Sequence, residues 1–575
     1  MEIIVACAFN NEGMFEKLKN FSIKLYNEAL VGTTSHGGDV AVFSSKSVSV
    51  VRGGDGAQVL VSGYHSATSQ ELLGVISNAL DTAPNPLNEQ VSIGGVHTII
   101  AQRDNQLVAW PSIPASGTLY YAMTDAGLVI CNRPKLLACL INSDIDQKYI
   151  SYMITTGYPI DDTTPYVGVK SLLAGHALHA QNGQFHIVRR RLASVGVVPR
   201  TPEAALEAER VFQRELIRAC GAVSRFKNVE LRLSGGKDSR LIISALSAGN
   251  QKVICHARGT GEDADIARDI ADKLGFEFTN TVSEPLDAKL FETGVRKSLI
   301  LSDGLVETEA HVGLTIPFRI IEEQDGIIYG HSHLQKGGFA RTMANTNREV
   351  ALDTLKKAVV PEYIEHEERK KLLGELDSVI GMFEYKASID ILYMTYAVLR
   401  AGRYLEPLYL KTATAYTPIY PLNDERMYVA CSRLSRDERT NERAIYKAIN
   451  DNAPILKGLA LCEDKWRFEP KEMLPAAKLS EENYATESTP SEFQKMVRMA
   501  RNGIRGSQIV NMAIELLDPE IIGRCGLGAA TGSKKYKFLS RHSAKLIMRL
   551  YFAKVLFETW QMERPSSSGS VAQIS

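Results

Sequence analysis

The chain has little that would staple it covalently or carry it into a membrane. Its eight cysteines (Cys7, Cys131, Cys139, Cys220, Cys255, Cys431, Cys462 and Cys525) are scattered, with no Cys-X2-Cys pair. Neither a zinc knuckle nor a disulfide framework is indicated. No apolar run is long enough to span a bilayer. Met1-Glu2-Ile3-Ile4-Val5 lacks the basic start and apolar core of a signal peptide, so a reducing cytoplasm is expected. No charge of one sign prevails: Lys+Arg and Asp+Glu both count 66. Nothing global therefore argues for nucleic acid or an anionic membrane as partner. No internal repeat is apparent, which excludes a solenoid. What remains is an ordinary soluble composition, 45% hydrophobic and 23% charged, in 575 residues. That length exceeds one core and predicts two domains.

The chain is organised around Leu231-Arg232-Leu233-Ser234-Gly235-Gly236-Lys237-Asp238-Ser239-Arg240. Val229–Leu233 alternates as a strand and Arg240–Leu246 reads as a helix. Between them lies a tight loop of small residues. Glycines let the backbone approach an anion, and hydroxyls and N–H groups at a helix N-terminus receive it. Asp238 can reach a metal ion on the same phosphates. The common P-loop needs Gly-X4-Gly-Lys-Ser/Thr, which this is not. Ser-Gly-Gly-X-Asp-Ser resembles instead the pyrophosphate loop of ATP pyrophosphatases. The plain alternative is a glycine turn with no ligand.

Around this loop the chain divides. Up to about residue 195, short strand signals such as Ile3–Phe9, Val40–Phe43, Val59–Tyr64 and Val96–Ile100 predict stacked antiparallel sheets. Helices are predicted near Gln70–Leu80 and Gln147–Thr156. Beyond the loop, Lys252–Ala257 predicts a second strand, whose carboxyl end, Arg258-Gly259-Thr260-Gly261, is where an adenine would sit. Glu262–Gly275 predicts a helix with an acidic first turn. Residues 490–517 and 533–562 also read as helices. The second is basic, with Lys534, Lys535, Lys537, Arg541, Lys545 and Arg549, and reads as a solvated face or a path for a peptide. The end, from Pro565, has the composition of a disordered tail.

Thr118-Leu119-Tyr120-Tyr121-Ala122, Leu128 to Leu137 with its Pro-Lys-Leu-Leu, and Pro165 to His176 follow one another in a familiar order. With Ser-Gly-Gly-Lys-Asp-Ser downstream, this order resembles the asparagine synthetase family over roughly residues 1–470. The resemblance implies an α+β N-terminal Ntn-hydrolase-like sandwich of antiparallel sheets. An α/β ATP-pyrophosphatase (PP-loop) domain with a parallel sheet would follow. The implied boundaries are 1–196 for a degenerate class II glutamine amidotransferase-like domain, 200–562 for the synthetase domain, and 563–575 for a tail. It implies ATP and Mg2+ as cofactors. Leu233, Ser234, Gly235, Gly236, Lys237, Asp238, Ser239, Ala257, Arg258 and Gly330 would contact the nucleotide, with Asp238 on the metal. Asp263 matches a family Asp, or serves only its helix dipole. In Glu463–Phe468, Lys465 matches the lysine that steadies charge on the acyl-adenylate, or is plain surface charge.

The departures are as informative as the matches. A working glutaminase of the family needs cysteine as its first mature residue, acting with its own α-amine. Position 2 is Glu2, and Cys7 reads as a core cysteine. In Gly330-His331-Ser332-His333-Leu334 the family's second metal-binding Asp falls on Leu334 or His333. Asp303, Glu307 and Glu309 are the nearby carboxylates that could replace it. His331 falls where β-lactam synthetases place a tyrosine base, and imidazole could take that proton, or only form hydrogen bonds. Thr414 stands where the family's base-orienting Glu would be. The resemblance thus implies an AMP-forming ligase that couples a carboxylate to an amine already on the substrate. That is the chemistry of β-lactam synthetases and lasso-peptide macrolactam synthetases, with a precursor peptide and its leader protease as possible partners. An ammonia-dependent asparagine synthetase and a degenerate nucleotide-binding scaffold remain alternatives.

Overall fold

The computed structural model describes residues 1–8, 12–33, 40–45, 48–82, 87–89, 92–114, 119–125, 127–192, 201–281, 287–306, 325–330, 334–340, 347–382, 388–462, 466–468, 492–527 and 539–563. The expected tail and Lys534, Lys535 and Lys537 lie outside them.

The fold is mixed α/β, with two largely antiparallel sheets and one parallel sheet. The period-two alternation of Ile4–Ala8 sorts its side chains to two faces. Ile4, Ala6 and Ala8 enter a core shared with Leu60, Ile100, Leu107 and Leu178 of a second sheet. Ile3, Val5 and Cys7 enter the core on the opposite side, with Met14, Leu18 and Leu136. The first sheet runs 169–171, 120–124, 127–131, 4–8, 40–45, 30–33, all antiparallel. The second runs 49–52, 58–64, 96–103, 106–111, 176–181, 184–192, 87–89, with only its last pair parallel. Helix Ser69–Thr82 buries Leu72 and Ile76 against the outer face of the second sheet. Helix Glu12–Tyr26 was not predicted. One buried position of its stripe is Ser22, which breaks the apolar period.

The parallel sheet decides where a ligand can sit. Its order is 277–281, 254–258, 229–232, 326–328, 417–419. The first strand in sequence, Val229–Arg232, is central. The chain adds strands to one side of it and then crosses to the other, so a crevice opens at its carboxyl end.

Two C-terminal predictions are corrected. The helix over 490–517 is two helices, Glu492–Ile504 and Gln508–Leu516, parted at Gly506 with φ 71°. The basic helix is not a solvated face. Leu539–Glu563 buries Leu546, Ile547, Leu550 and Phe552. Its Tyr551 stacks on Phe291 and its Trp560 packs on Tyr166. Trp560 Nε1 also donates to Ser143 O at 3.1 Å, joining the two halves of the chain.

Buried carboxylates join the halves as well. Asp424 Oδ2 accepts from Gly95 N, and Glu425 Oε1 pairs with Arg190 Nη2 at 2.9 Å. Burial pushes the Asp424 carboxyl up to about 7, against the pull of the Gly95 N–H. Its folded pKa is raised, so its contribution to stability is complete below the unfolded value of 3.8 and is lost as pH rises through about 7. Between pH 5 and pH 8 the wild type is expected to lose about 2–3 kcal/mol relative to Asp424→Asn. Urea unfolding of both proteins at the two pH values checks this. A stability difference that does not change with pH refutes it.

Candidate functional site

Strand Val229–Arg232 enters the site between buried Leu231 and Leu233, and Leu233 N donates to His256 O of the neighbouring strand at 2.9 Å. The loop then closes through its two serines. Ser234 N donates to Ser239 Oγ at 3.2 Å, and Ser239 Oγ lies 3.0 Å from both Ser234 O and Ser234 Oγ. Gly236 N donates to Ser234 Oγ at 3.3 Å. Helix Lys237–Ala248 starts at Gly236 with no side-chain cap. Its first-turn N–H groups, with their partial positive charge, follow the carboxyl end of the central strand.

Close approach makes glycine necessary at position 235. A Cβ there would meet Cys462 Cβ at 2.9 Å and Ile266 Cβ at 3.2 Å. Gly235 N donates to Asp263 Oδ1 at 2.9 Å, so this carboxylate touches the loop. Gly330, at the end of strand Gly326–Ile328, lies across the opening. A Cβ on it would stand 3.4 Å from Ser239 N and 3.5 Å from Asp238 Cβ.

Both charged residues of the loop are paired. Lys237 Nζ lies 2.7 Å from Glu442 Oε2, with both side chains buried, and 5.3 Å from the centroid of the Trp466 ring. Glu442 also accepts from Arg467 N and pairs with Arg467 Nε, each at 3.3 Å. It does so from a left-handed backbone, φ 66°, which only its surroundings stabilise. Asp238 Oδ1 accepts from Gln335 Nε2 at 2.9 Å, and Oδ2 pairs with Lys336 Nζ at 2.8 Å.

Of the residues singled out in the sequence, Leu233 to Ser239, Ala257 and Gly330 lie on adjoining strand ends. Arg258 is exposed at the end of its strand. His331, His333, Glu307, Glu309 and Lys465 lie outside the described residues. Both flanks of 463–465 reach the loop: Cys462 N donates to Gly235 O at 3.4 Å, and Trp466 covers Lys237. Asp303 is no substitute metal ligand. It is fully buried and held by Arg133 Nη2 at 2.9 Å and the Tyr26 hydroxyl at 3.0 Å. Leu334 is buried and offers no ligand atom.

Sequence reasoning missed Glu442, Arg240, Gln335 and Lys336. Arg240 is buried and donates to Leu459 O, Ala460 O and Gly235 O, binding the 459–462 segment to the loop. The basic residue before Gly337-Gly338 was a readable signal for Lys336. Glu442 carried none, because its role depends on a fold-specific backbone.

A phosphate chain fits this loop: small residues and an uncapped helix start meet there, and the Lys336 ammonium stands on Asp238 of the first helical turn. A protein-held Mg2+ at Asp238 does not fit this arrangement. Both carboxylate oxygens are engaged, and no group of three metal-ligating side chains occurs among the described residues.

A second polar region lies near the chain start. Glu2 Oε2 accepts from Gly63 N at 2.7 Å, and Asn132 Nδ2 donates to Glu2 O at 3.0 Å. Burial pushes the Glu2 carboxyl up. These residues line a cavity of about 270 Å³ with Arg133, Tyr409 and Thr417. Cys7 is buried, and burial pushes its thiol up to about 12, which leaves it un-ionised.

No protein-family model matches the chain, and no curated protein matches it. Among solved structures, the allosteric regulatory enzyme of purine biosynthesis is 8% identical at a TM-score of 0.23, over 70% of this chain and 100% of that one. Glutamine phosphoribosylpyrophosphate amidotransferase from B. subtilis, complexed with ADP and GMP, is 10% identical at a TM-score of 0.21, over 63% and 80%. Such TM-scores carry no argument about fold or activity. No helix among the described residues is long and apolar enough to cross a membrane.

Proposed function

We propose that the chain is an ATP-dependent, AMP-forming carbon–nitrogen ligase acting on a substrate that carries both carboxylate and amine. The observation that supports this reading is the Ser234–Ser239 loop at the switch point of the parallel sheet, with an uncapped helix start behind it. A carboxylate oxygen bonds to the α-phosphorus of ATP, and the bond to the β-phosphate oxygen breaks, releasing pyrophosphate. The amine nitrogen then bonds to the acyl carbon, AMP leaves, and the amine proton passes to a base. The loop N–H groups and Lys237 receive phosphate charge. Lys465 is assigned to the acyl-adenylate, and the flanks of its segment rest on the loop. His331, next after Gly330, is assigned as base. Residues 1–196 are assigned as an amidotransferase-like domain without a nucleophile, because Glu2 occupies Gly63 N and Cys7 is buried. The amine is therefore assigned to the substrate itself, giving ring closure, with a peptide as substrate. Mg2+ accompanies ATP as part of the same assignment.

Pyrophosphate release from ATP with candidate amino acids and peptides tests the reading, comparing wild type with Asp238→Ala and Lys465→Ala. The expected result is substrate-dependent release without glutamine consumption and a product lighter by one water, with both variants at least about 100-fold slower. Product formed only with added ammonia would favour asparagine-type amidation. Failure to bind ATP would refute the ligase.

A further inference from the structure

The loop poses an electrostatic problem. Asp238 stands at the second position of the helix whose N-terminus would receive phosphate, so anion would face anion. A divalent metal between them is one solution, but the carboxylate is already bridged. Lys336 Nζ lies 2.8 Å from Asp238 Oδ2, and Gln335 Nε2 lies 2.9 Å from Oδ1. Lys336 is not a wandering surface lysine. Leu334–Lys336 forms a buried 3-10 turn, with 7% of Lys336 exposed. The turn is followed by Gly337 and Gly338, both at positive φ. Gly338 rests on Tyr396, where a Cβ would approach Tyr396 Cβ to 2.9 Å, and Phe339 packs edge-on against the same ring. The backbone that follows the ammonium is thus fixed.

An ammonium has three donors, and Asp238 takes one of them. We propose that Lys336 is the phosphate-binding cation of this site. Its ammonium stays on Asp238 and turns its other donors to the pyrophosphate oxygens of the nucleotide. It bridges carboxylate and phosphate as a metal ion would, and no protein-held divalent cation at Asp238 is needed. This rests on the nucleotide reading above and names the group that secures the leaving pyrophosphate.

The test is calorimetric titration of inorganic pyrophosphate and of ATP into the full chain, in EDTA and in excess Mg2+. Wild type is expected to bind pyrophosphate in EDTA. Lys336→Met should weaken that binding about tenfold or more, and Lys336→Arg should restore part of it. Melting curves identify variants that fail to fold, and the arginine variant then carries the comparison. Undiminished binding by folded Lys336→Met, or wild-type binding that needs Mg2+, overturns the assignment of Lys336 and leaves the nucleotide reading standing. If wild type binds neither pyrophosphate nor ATP in either buffer, the nucleotide reading falls and this inference with it.

Discussion

Asp303→Ala is expected to cost the protein about 3–5 kcal/mol of stability, the usual result of stranding one charge of a buried pair. Asp303 and Arg133 have side-chain exposures of 0% and 1%, and their nearest atoms lie 2.9 Å apart. The guanidinium makes two further hydrogen bonds through its terminal nitrogens. It donates to Leu410 O at 3.3 Å and Leu301 O at 3.2 Å, and lies 5.0 Å from the centroid of the Tyr26 ring. Tyr26 donates to the other oxygen of Asp303, and Tyr166 donates to its carbonyl. One pair therefore ties the first antiparallel sheet to helices Ala288–Leu301 and Glu406–Ala413. Without the carboxylate, a full positive charge remains on a side chain that is only 1% exposed. Asp303→Leu with Arg133→Met should be less damaging than either single change, because no charge is left unpaired. Chemical denaturation of wild type, Asp303→Ala, the two single changes and the double variant decides it. A loss below about 1 kcal/mol for Asp303→Ala would mean that water reaches Arg133.

Asp303 also shows where sequence reasoning stops. Its nearness in sequence to the altered glycine loop made it a candidate metal ligand. Nothing local shows that Arg133, far away in sequence, would claim it. The phosphate loop was legible because strand, glycines, serines and helix start are consecutive. The strand Ile4–Ala8 was legible for the same reason: a short apolar run is a local property. Glu442 and Lys336 act across the fold, and their meaning lies in what the topology brings beside them. The Leu539–Glu563 helix was misread because its basic residues are conspicuous in sequence. Its longer apolar positions, Leu546, Ile547, Leu550 and Phe552, decide its burial.

Gly330→Ala should separate binding from folding more cleanly than any change within the Ser234–Ser239 loop. At Gly235 a methyl group would strike Cys462 and Ile266, so loss of binding there could follow from a displaced loop. Gly330 differs. A Cβ on it would make ordinary contacts of 3.4 Å with Ser239 N and 3.5 Å with Asp238 Cβ. Its φ is not among the positive values, so alanine is not strained there. The melting temperature should therefore stay near that of wild type. A phosphate oxygen accepting from the Ser239 N–H must come to about 3 Å of that nitrogen, and the new methyl group would stand in its way. Two or three charge-assisted hydrogen bonds at the helix start would be lost or stretched, which corresponds to about 100-fold weaker ATP binding. Calorimetric titration of ATP beside a melting curve reads both quantities. Unchanged affinity in a folded Gly330→Ala protein would place the phosphates away from this helix start. A folded variant that has lost ATP would locate them between the two glycine loops of the parallel sheet, at the switch point beside Lys336.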